Sequence, residues 1–233
     1  MSCVIHRLGR VPYRQAWDWQ QRLIKERFRD ASLKNVCLML EHPRVYTLGR
    51  GASMDNVRFD TTAPNSDFEL IKVDRGGEVT YHGPGQLVVY PILNLTQGPF
   101  KKDLHWYLRQ VEEVVIQTLG HFDIQGERVE GLTGVWVPDS RHAFPKSKIA
   151  AVGTHASKWI TMHGFALNVT TDLSDFDRIV PCGLHDKAVS SIQDFHPQIK
   201  MEDVQDAVAA SLAKVFHLHE VETTSLPPIP TEP

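Results

Sequence analysis

The order of helical and strand-like segments limits the fold of this chain more than any other feature. Short apolar runs, such as residues 36–40 and 45–48, are interspersed irregularly with three helical patterns at about residues 13–28, 103–119 and 202–217. A doubly wound parallel fold would require a regular alternation of strands and helices. We therefore predict an α+β fold in which a mixed β-sheet is flanked by helices.

Further apolar patterns predict additional short strands. They cover about residues 3–8, 68–73, 86–93, 134–137, 147–154 and 165–169. No internal repeat or linker-like stretch interrupts residues 1–226, so we predict a single domain there. The proline-rich residues 227–233 are predicted to form a disordered tail.

Composition and charge exclude several classes of protein. The 233 residues carry a formal net charge of -3, so the chain lacks the excess of basic residues that would indicate a nucleic-acid partner. No apolar run reaches the ~18 residues that a membrane span needs. The cysteines are odd in number and widely spaced, which indicates neither a disulfide framework nor a metal site. We expect a cytoplasmic protein that holds no metal, does not associate with a membrane and does not bind nucleic acid.

A glycine-rich segment covers residues 75–91 and contains a histidine, His82. Gly76 and Gly77 permit close backbone approach and backbone angles that other residues disfavour. Such a loop could present N–H groups to a substrate oxygen. A tight turn between two strands, capped by the histidine, explains the same residues equally well.

Lys148 begins an otherwise apolar run. A buried ammonium must be paired or discharged, and desolvation favours the neutral amine, which is a usable base. An isolated lysine at the end of a strand more commonly reaches back to solvent, so both interpretations stand at this point.

Cys182 lies between Pro181 and Gly183, a pattern typical of a fixed and accessible turn. A nucleophilic cysteine needs access and a partner that favours its thiolate. Cys37 lies inside an apolar run, where a small buried hydrophobic residue is expected. The chain contains no GxSxG or GxxxxGK[ST] motif, which argues against serine hydrolases and P-loop enzymes, and no HExxH motif that would indicate a metal site.

Taken together, these segments resemble the lipoyl(octanoyl) transferase family. The family pattern RGGxxTxHxxGQ matches residues 75–86, and KIAAxG matches residues 148–153. HGxALN follows at residues 163–168 and PCG at residues 181–183, in the order of the family. The similarity covers about residues 4–215.

The resemblance implies a fold like that of biotin and lipoate protein ligases, with no cofactor. It implies that Cys182 is the nucleophile that forms an acyl thioester and that Lys148 is its base. It also implies a substrate pocket lined by Arg75, Gly76, Gly77, Glu78, Val79, Thr80, Tyr81, His82, Ala151, Val152, Gly153, Gly164, Phe165 and Ala166.

The expected activity is transfer of an octanoyl or lipoyl group from acyl carrier protein to a lysine, the first step of endogenous lipoate biosynthesis. The expected acceptors are the lipoyl domains of 2-oxoacid dehydrogenases and the glycine cleavage H protein, and the expected enzyme is a monomer. One alternative is an ATP-dependent lipoate or biotin ligase, which would not need Cys182. Another is a non-catalytic module that binds an acylated carrier. The presence of both Lys148 and Cys182 favours the transferase.

Overall fold

The computed structural model describes residues 1–61, 68–141, 144–180 and 188–229. Three α-helices lie in these ranges: α1 (Tyr13–Arg29), α2 (Leu104–Gly120) and α3 (Met201–Val215). The strands are β1 (Ser2–Arg10), β2 (Asn35–Glu41), β3 (Val45–Leu48), β4 (Glu69–Lys72), β5 (Val79–His82), β6 (Gln86–Ile92), β7 (Glu127–Val129), β8 (Leu132–Pro138), β9 (Lys146–Ser157), β10 (Ile160–Asn168) and β11 (Glu220–Thr224).

The strands form one large and one small sheet. The large sheet has the order β11-β1-β2-β6-β10-β9-β8-β7, and the small sheet has the order β4-β3-β5. Strand β1 runs parallel to β11 and β2, whereas the remaining neighbours in the large sheet are antiparallel. The sheet is therefore mixed and flanked by helices, which confirms the predicted α+β class.

Strand β2 illustrates why the large sheet is covered on both faces. Its side chains alternate between two hydrophobic clusters. Cys37 and Met39 pack into the cluster formed with α2 and α3, whereas Leu38 and Leu40 pack into the cluster formed with α1. A strand buried on both faces is a continuous apolar run, and this is why the sequence predicted it.

The three helices match the predicted helical patterns to within one or two residues at each end. Helix α2 begins after Asp103, whose carboxylate accepts hydrogen bonds from the N–H groups of His105 and Trp106. Such a cap satisfies two of the backbone donors that a helix leaves free at its start. No helix in the described ranges has the length and apolar character needed to cross a membrane.

Three short strands, β5, β7 and β11, were not predicted. Strands β7 and β11 lie at opposite edges of the large sheet, and β11 is almost entirely exposed. Exposed edge strands need no alternation of apolar and polar residues, so their sequences carry little signal. The expectation that His82 lies in a loop was wrong, because this residue ends strand β5 and is buried.

The β9–β10 hairpin extends further than its sequence indicates. Lys158 and Trp159 form its turn with φ angles of 49° and 67°. Two-residue turns of this hand usually contain Asn-Gly or Asp-Gly. Because neither residue is a turn signal, the predicted strands stopped at residue 154 and restarted at residue 165.

The C-terminal residues cross back over the structure. The carbonyl oxygen of Leu226 is 2.8 Å from His6 Nδ1, and Ile229 packs against the cluster formed with α1. Residues 230–233 lie outside the described part of the chain. The single domain over residues 1–226 and the disordered tail both stay predictions.

Candidate active site

A cavity of about 210 Å³ lies between strands β6, β9 and β10 of the large sheet and the glycine-rich segment that begins at Arg75. Val79, Val88, Phe165 and Ala166 contribute apolar walls. The lining follows β9 from Lys148 to Gly153, and these five residue-to-residue steps span roughly 16 Å at ~3.3 Å per step. A largely apolar space of this length suits an extended aliphatic chain.

The glycine-rich segment is held against the sheet by Arg75. The Arg75 guanidinium donates to the carbonyl and hydroxyl oxygens of Thr47, at 2.8 Å each, and to the carbonyl of Gly76 at 3.0 Å. The Gly76 N–H donates to the carbonyl of Thr154 on β9. At Gly153 a Cβ atom would lie 3.0 Å from the Arg75 side chain, so any larger residue there would force Arg75 to shift.

One end of the cavity is closed by buried but uncharged polar groups. His42 Nδ1 lies 2.6 Å from the carbonyl of Val11, which can only accept, so His42 donates there. The Tyr90 hydroxyl therefore donates to His42 Nε2, at 2.8 Å. Burial lowers the pKa of His42 to about 4 and raises the pKa of Tyr13 to about 12. This wall stays neutral near pH 7 and is compatible with an apolar ligand.

His163 lines the cavity with a strained backbone. Its φ angle is +57°, and its Nε2 lies 2.7 Å from a carboxylate oxygen of Asp74. Burial lowers the pKa of His163, and the hydrogen bond from this imidazole lowers the pKa of Asp74. His155 Nε2 lies 3.9 Å from the same carboxylate. Within the described ranges, no group of three or more His, Cys, Asp and Glu side chains could hold a metal ion.

Lys148 lies at the other end of the cavity and is 7% exposed. Its Nζ lies 4.8 Å from the centre of the Trp136 ring. Its backbone N–H donates to the carbonyl of Ala188 at 2.9 Å, and its carbonyl accepts from the N–H of Ser190 at 3.0 Å. The Lys148 side chain is therefore buried. The commoner of the two interpretations, in which the lysine reaches back to solvent, does not describe its position.

A β-bulge in β9 keeps Lys148 directed at the cavity. Lys148 pairs with Trp136, but the register between β8 and β9 shifts by one residue immediately afterwards. Ile149 and Ala150 consequently both pack into the core beside α2 and α3. Ala151 then lines the cavity as Lys148 does, although the two are three residues apart. A regular strand would direct them to opposite faces.

The model of the lipoyl protein ligase A/B catalytic domain matches residues 12–213, which is most of the chain. The chain belongs to this family. The membership predicted from the four motifs is thereby confirmed.

Relatives within the family narrow the identification to octanoyltransferases. A protein of that name from Thermosynechococcus vestitus is 50% identical over 211 residues, covering 91% of this chain and 88% of its own. An octanoyltransferase from Nostoc punctiforme is 48% identical over 221 residues, covering 95% and 91%. The expectation of an octanoyltransferase is therefore confirmed.

Solved structures support the fold of the family. The bi-partite lipoate protein ligase of Thermoplasma acidophilum has a TM-score of 0.74 at 19% identity, covering 96% of this chain and 88% of that one. Lipoate-protein ligase A bound with ATP has a TM-score of 0.75 at 16% identity, covering 96% and 90%. At these identities the likeness concerns the fold alone.

Most of the predicted site residues of this chain meet at the cavity. It is lined by Arg75, Gly76, Gly77, Glu78, Val79, Thr80, His82, Lys148, Ala151, Val152, Gly153, Gly164, Phe165 and Ala166. Tyr81 is not among the lining residues, and its ring packs against Tyr46 and Phe176 at 5.2 and 5.4 Å. Strand alternation in β5 separates Tyr81 from Thr80 and His82, so the motif includes one residue of the core.

The predicted nucleophile Cys182 lies in residues 181–187, outside the described part of the chain. The described residues on either side are both hydrogen-bonded to other parts of the fold. The N–H of Val180 donates to the carbonyl of Asn56 at 2.8 Å, and the carbonyl of Ala188 accepts from Lys148. Cys3 and Cys37 are both buried in the core.

Several lining residues were not predicted as site residues. Tyr13 and His163 line the cavity together with Gln86 and Asn168. Gln86 and Asn168 belong to the family motifs, so the signal for them was present but was not assigned a role. Tyr13 comes from α1 and matches no motif, and only the packing of this helix brings it to the site.

Proposed function

We propose that this octanoyltransferase transfers an octanoyl or lipoyl group from acyl carrier protein to a lysine of a lipoyl domain, through a thioester on Cys182. The observation that carries the proposal is the pairing of the Lys148 backbone with Ala188 and Ser190. This pairing joins the lysine at the end of the apolar cavity to the chain that follows Cys182.

The other two cysteines are unsuited to nucleophilic attack. Burial raises the pKa of Cys3 to about 12 and raises that of Cys37 well above its ordinary value. Both thiols therefore stay protonated near pH 7, and the thiolate is the reactive form. These properties support Cys182 as the residue that carries the acyl group.

In the first half-reaction, Lys148 takes the proton of the Cys182 thiol. The thiolate attacks the thioester carbonyl of the donor, the bond to the carrier thiol breaks, and that thiol leaves with the proton from Lys148. In the second half-reaction, the acceptor amine attacks the new thioester, Cys182 leaves as thiolate and Lys148 accepts a proton of the amine. The thioester energy drives amide formation, so neither ATP nor another cofactor is required.

The proposed acceptors are the lipoyl domains of 2-oxoacid dehydrogenases and the glycine cleavage H protein. Support comes from the family, whose members include lipoate protein ligases and octanoyltransferases. We further propose a monomer as the active form, since one chain supplies the whole described lining of the cavity.

An ATP-dependent ligase is the competing function, because the fold is that of lipoate protein ligases. Intact-mass measurement after mixing with octanoyl-acyl carrier protein separates the two. We expect an octanoyl adduct without ATP, present in Cys37→Ala and missing in Cys182→Ser. Addition of a lipoyl domain should remove the adduct and octanoylate the domain. Octanoylation only with free octanoate and ATP would indicate a ligase, and binding without an adduct or transfer would indicate a non-catalytic module.

A further inference from the structure

A chain of buried side-chain hydrogen bonds runs along the lining of the cavity from His82 towards Lys148. His82 Nδ1 lies 2.8 Å from Gln86 Oε1, and Gln86 Nε2 donates to Asn168 Oδ1 at 2.9 Å. Asn168 Nδ2 then donates to the carbonyl of Ser190 at 3.0 Å. Gln86 and Asn168 form a directly opposite pair on β6 and β10.

The direction of this chain is determined by its backbone partners. Gln86 Nε2 also donates to the carbonyl of Tyr81, which can only accept, so Gln86 presents its oxygen to His82. The carbonyl of Ser190 likewise requires the NH₂ group of Asn168. His82 must therefore carry its proton on Nδ1. Each group donates to the next, and bonds aligned in this way reinforce one another in a buried environment.

The chain continues into the backbone of Lys148. The Ser190 N–H donates to the Lys148 carbonyl, and the Lys148 N–H donates to the Ala188 carbonyl. This pairing is an isolated bridge between Lys148 and Val189 and not part of a longer ladder. An isolated bridge has few bonds of its own, so the side-chain bond from Asn168 to Ser190 contributes substantially to its position.

We propose that Gln86 and Asn168 are positioning residues, which hold Lys148 and residues 188–190 in the geometry that acyl transfer requires. The inference rests on the proposed function, because it assigns the two amides to the reaction of Lys148. Gln86 and Asn168 are 1% and 3% exposed. An unpaired amide at such a depth is strongly disfavoured, so loss of one partner disturbs the next.

The test compares Asn168→Ala and Asn168→Asp with a matched control, Asn35→Ala. Asn168→Asp keeps the shape but places an oxygen against the Ser190 carbonyl. Asn35 is equally buried and accepts from the Asn94 N–H, but it does not line the cavity. We expect kcat to fall by about 10²-fold in both Asn168 variants, with KM for the octanoyl donor nearly unchanged. Asn35→Ala should keep kcat within about twofold at a comparable loss of Tm.

A second measurement isolates the effect on Lys148. The rate at which iodoacetamide alkylates Cys182 near pH 7 should fall in Asn168→Asp towards the rate in Lys148→Ala. In a Lys148→Ala background, Asn168→Asp should cause no further decrease, because the residue acts through the lysine. The inference would be overturned if the Asn168 variants kept the alkylation rate and the kcat of wild type. It would also be overturned if Asn168→Asp lowered the alkylation rate by the same factor in the Lys148→Ala background as in wild type.

Failure of the proposed function would have a different signature. In that case neither wild type nor Asn35→Ala would form an acyl adduct, and both the proposed function and the positioning role would be contradicted. An active wild type together with fully active Asn168 variants would contradict the positioning role alone.

Discussion

Lys148 and Trp136 pair across strands β9 and β8, and the lysine Nζ lies 4.8 Å from the centre of the indole ring. Trp136 is fully buried, so the ring shields the amine from water on this side. Once Lys148 has accepted a proton, the aromatic face stabilises its ammonium form by about 0.5–2 kcal/mol, and the same contact limits the directions that the amine can take.

The first prediction follows from this contact. Trp136→Phe should retain most of the activity because an aromatic face remains beside Lys148. Trp136→Leu should lower kcat at least about tenfold, since the amine loses its orientation. Both changes leave space in the core and should reduce Tm. Equal kcat values in the two variants, measured at a temperature where both are folded, would exclude a role for the ring.

The second prediction concerns the two proposed catalytic residues. Cys182→Ser should abolish transfer, and Lys148→Ala or Lys148→Arg should lower it by about 10²–10⁴-fold, because an arginine stays protonated and cannot act as a base. Cys37→Ala should remain active and lose about 1 kcal/mol of stability, since its side chain is buried in the core. Steady-state transfer to a lipoyl domain is the measurement. Near-normal turnover in Cys182→Ser would rule out a covalent intermediate on this residue.

The third prediction concerns acyl-chain length. Ala166 and Val88 face each other on β10 and β6 and both line the cavity. Ala166→Leu should therefore block octanoyl transfer while leaving butyryl transfer measurable. Gly77 is less suitable for this test, because its φ of +90° would strain any side chain. Ala213→Leu on α3, away from the cavity, serves as the control and should transfer both chains. Unchanged octanoyl transfer in a folded Ala166→Leu protein would show that the acyl chain lies elsewhere.

The fourth prediction is a loss of stability in mild acid. Burial lowers the pKa of His42 from 6.5 to about 4. Between pH 6.5 and pH 4, His42 therefore binds a proton in the unfolded chain but not in the folded chain. The contribution of His42 to stability is present above pH 6.5 and is lost as the pH falls towards 4. At 1.36 kcal/mol per pKa unit the loss amounts to roughly 3 kcal/mol.

Urea unfolding between pH 7 and pH 4 measures this dependence. His42→Gln, which cannot take up a proton, should show a shallower decline with falling pH than wild type. His121→Gln, a change at an exposed residue, should decline as wild type does. If His42→Gln and wild type decline equally, the buried histidine is not the cause.

Local sequence patterns were sufficient to predict elements such as helix α2 and strand β2. The helical repeat of α2, ended by Gly120 and preceded by the Asp103 cap, is visible over a single stretch of chain. The continuous apolar run of β2 likewise reports burial on both faces without knowledge of its neighbours. The four motifs and their order were enough to identify the family, because each motif is a short contiguous stretch of chain.

Tertiary structure decided the relationships between distant residues. The bulge after the Trp136–Lys148 pair, the parallel pairing of β11 with β1, and the entry of Tyr13 into the cavity have no local signal. They depend on how separate elements pack, because the free energy of each contact is shared between segments far apart in the chain.

The sequence by itself therefore determined the fold class, the family and most of the residues that line the cavity. Only the tertiary structure revealed that Tyr81 faces the core and that Gln86 reaches Lys148 through Asn168 and Ser190. The physical reason is that side-chain direction and hydrogen-bond partners are set by strand register and burial. These arise only when residues 82 positions apart, such as Gln86 and Asn168, are brought into contact.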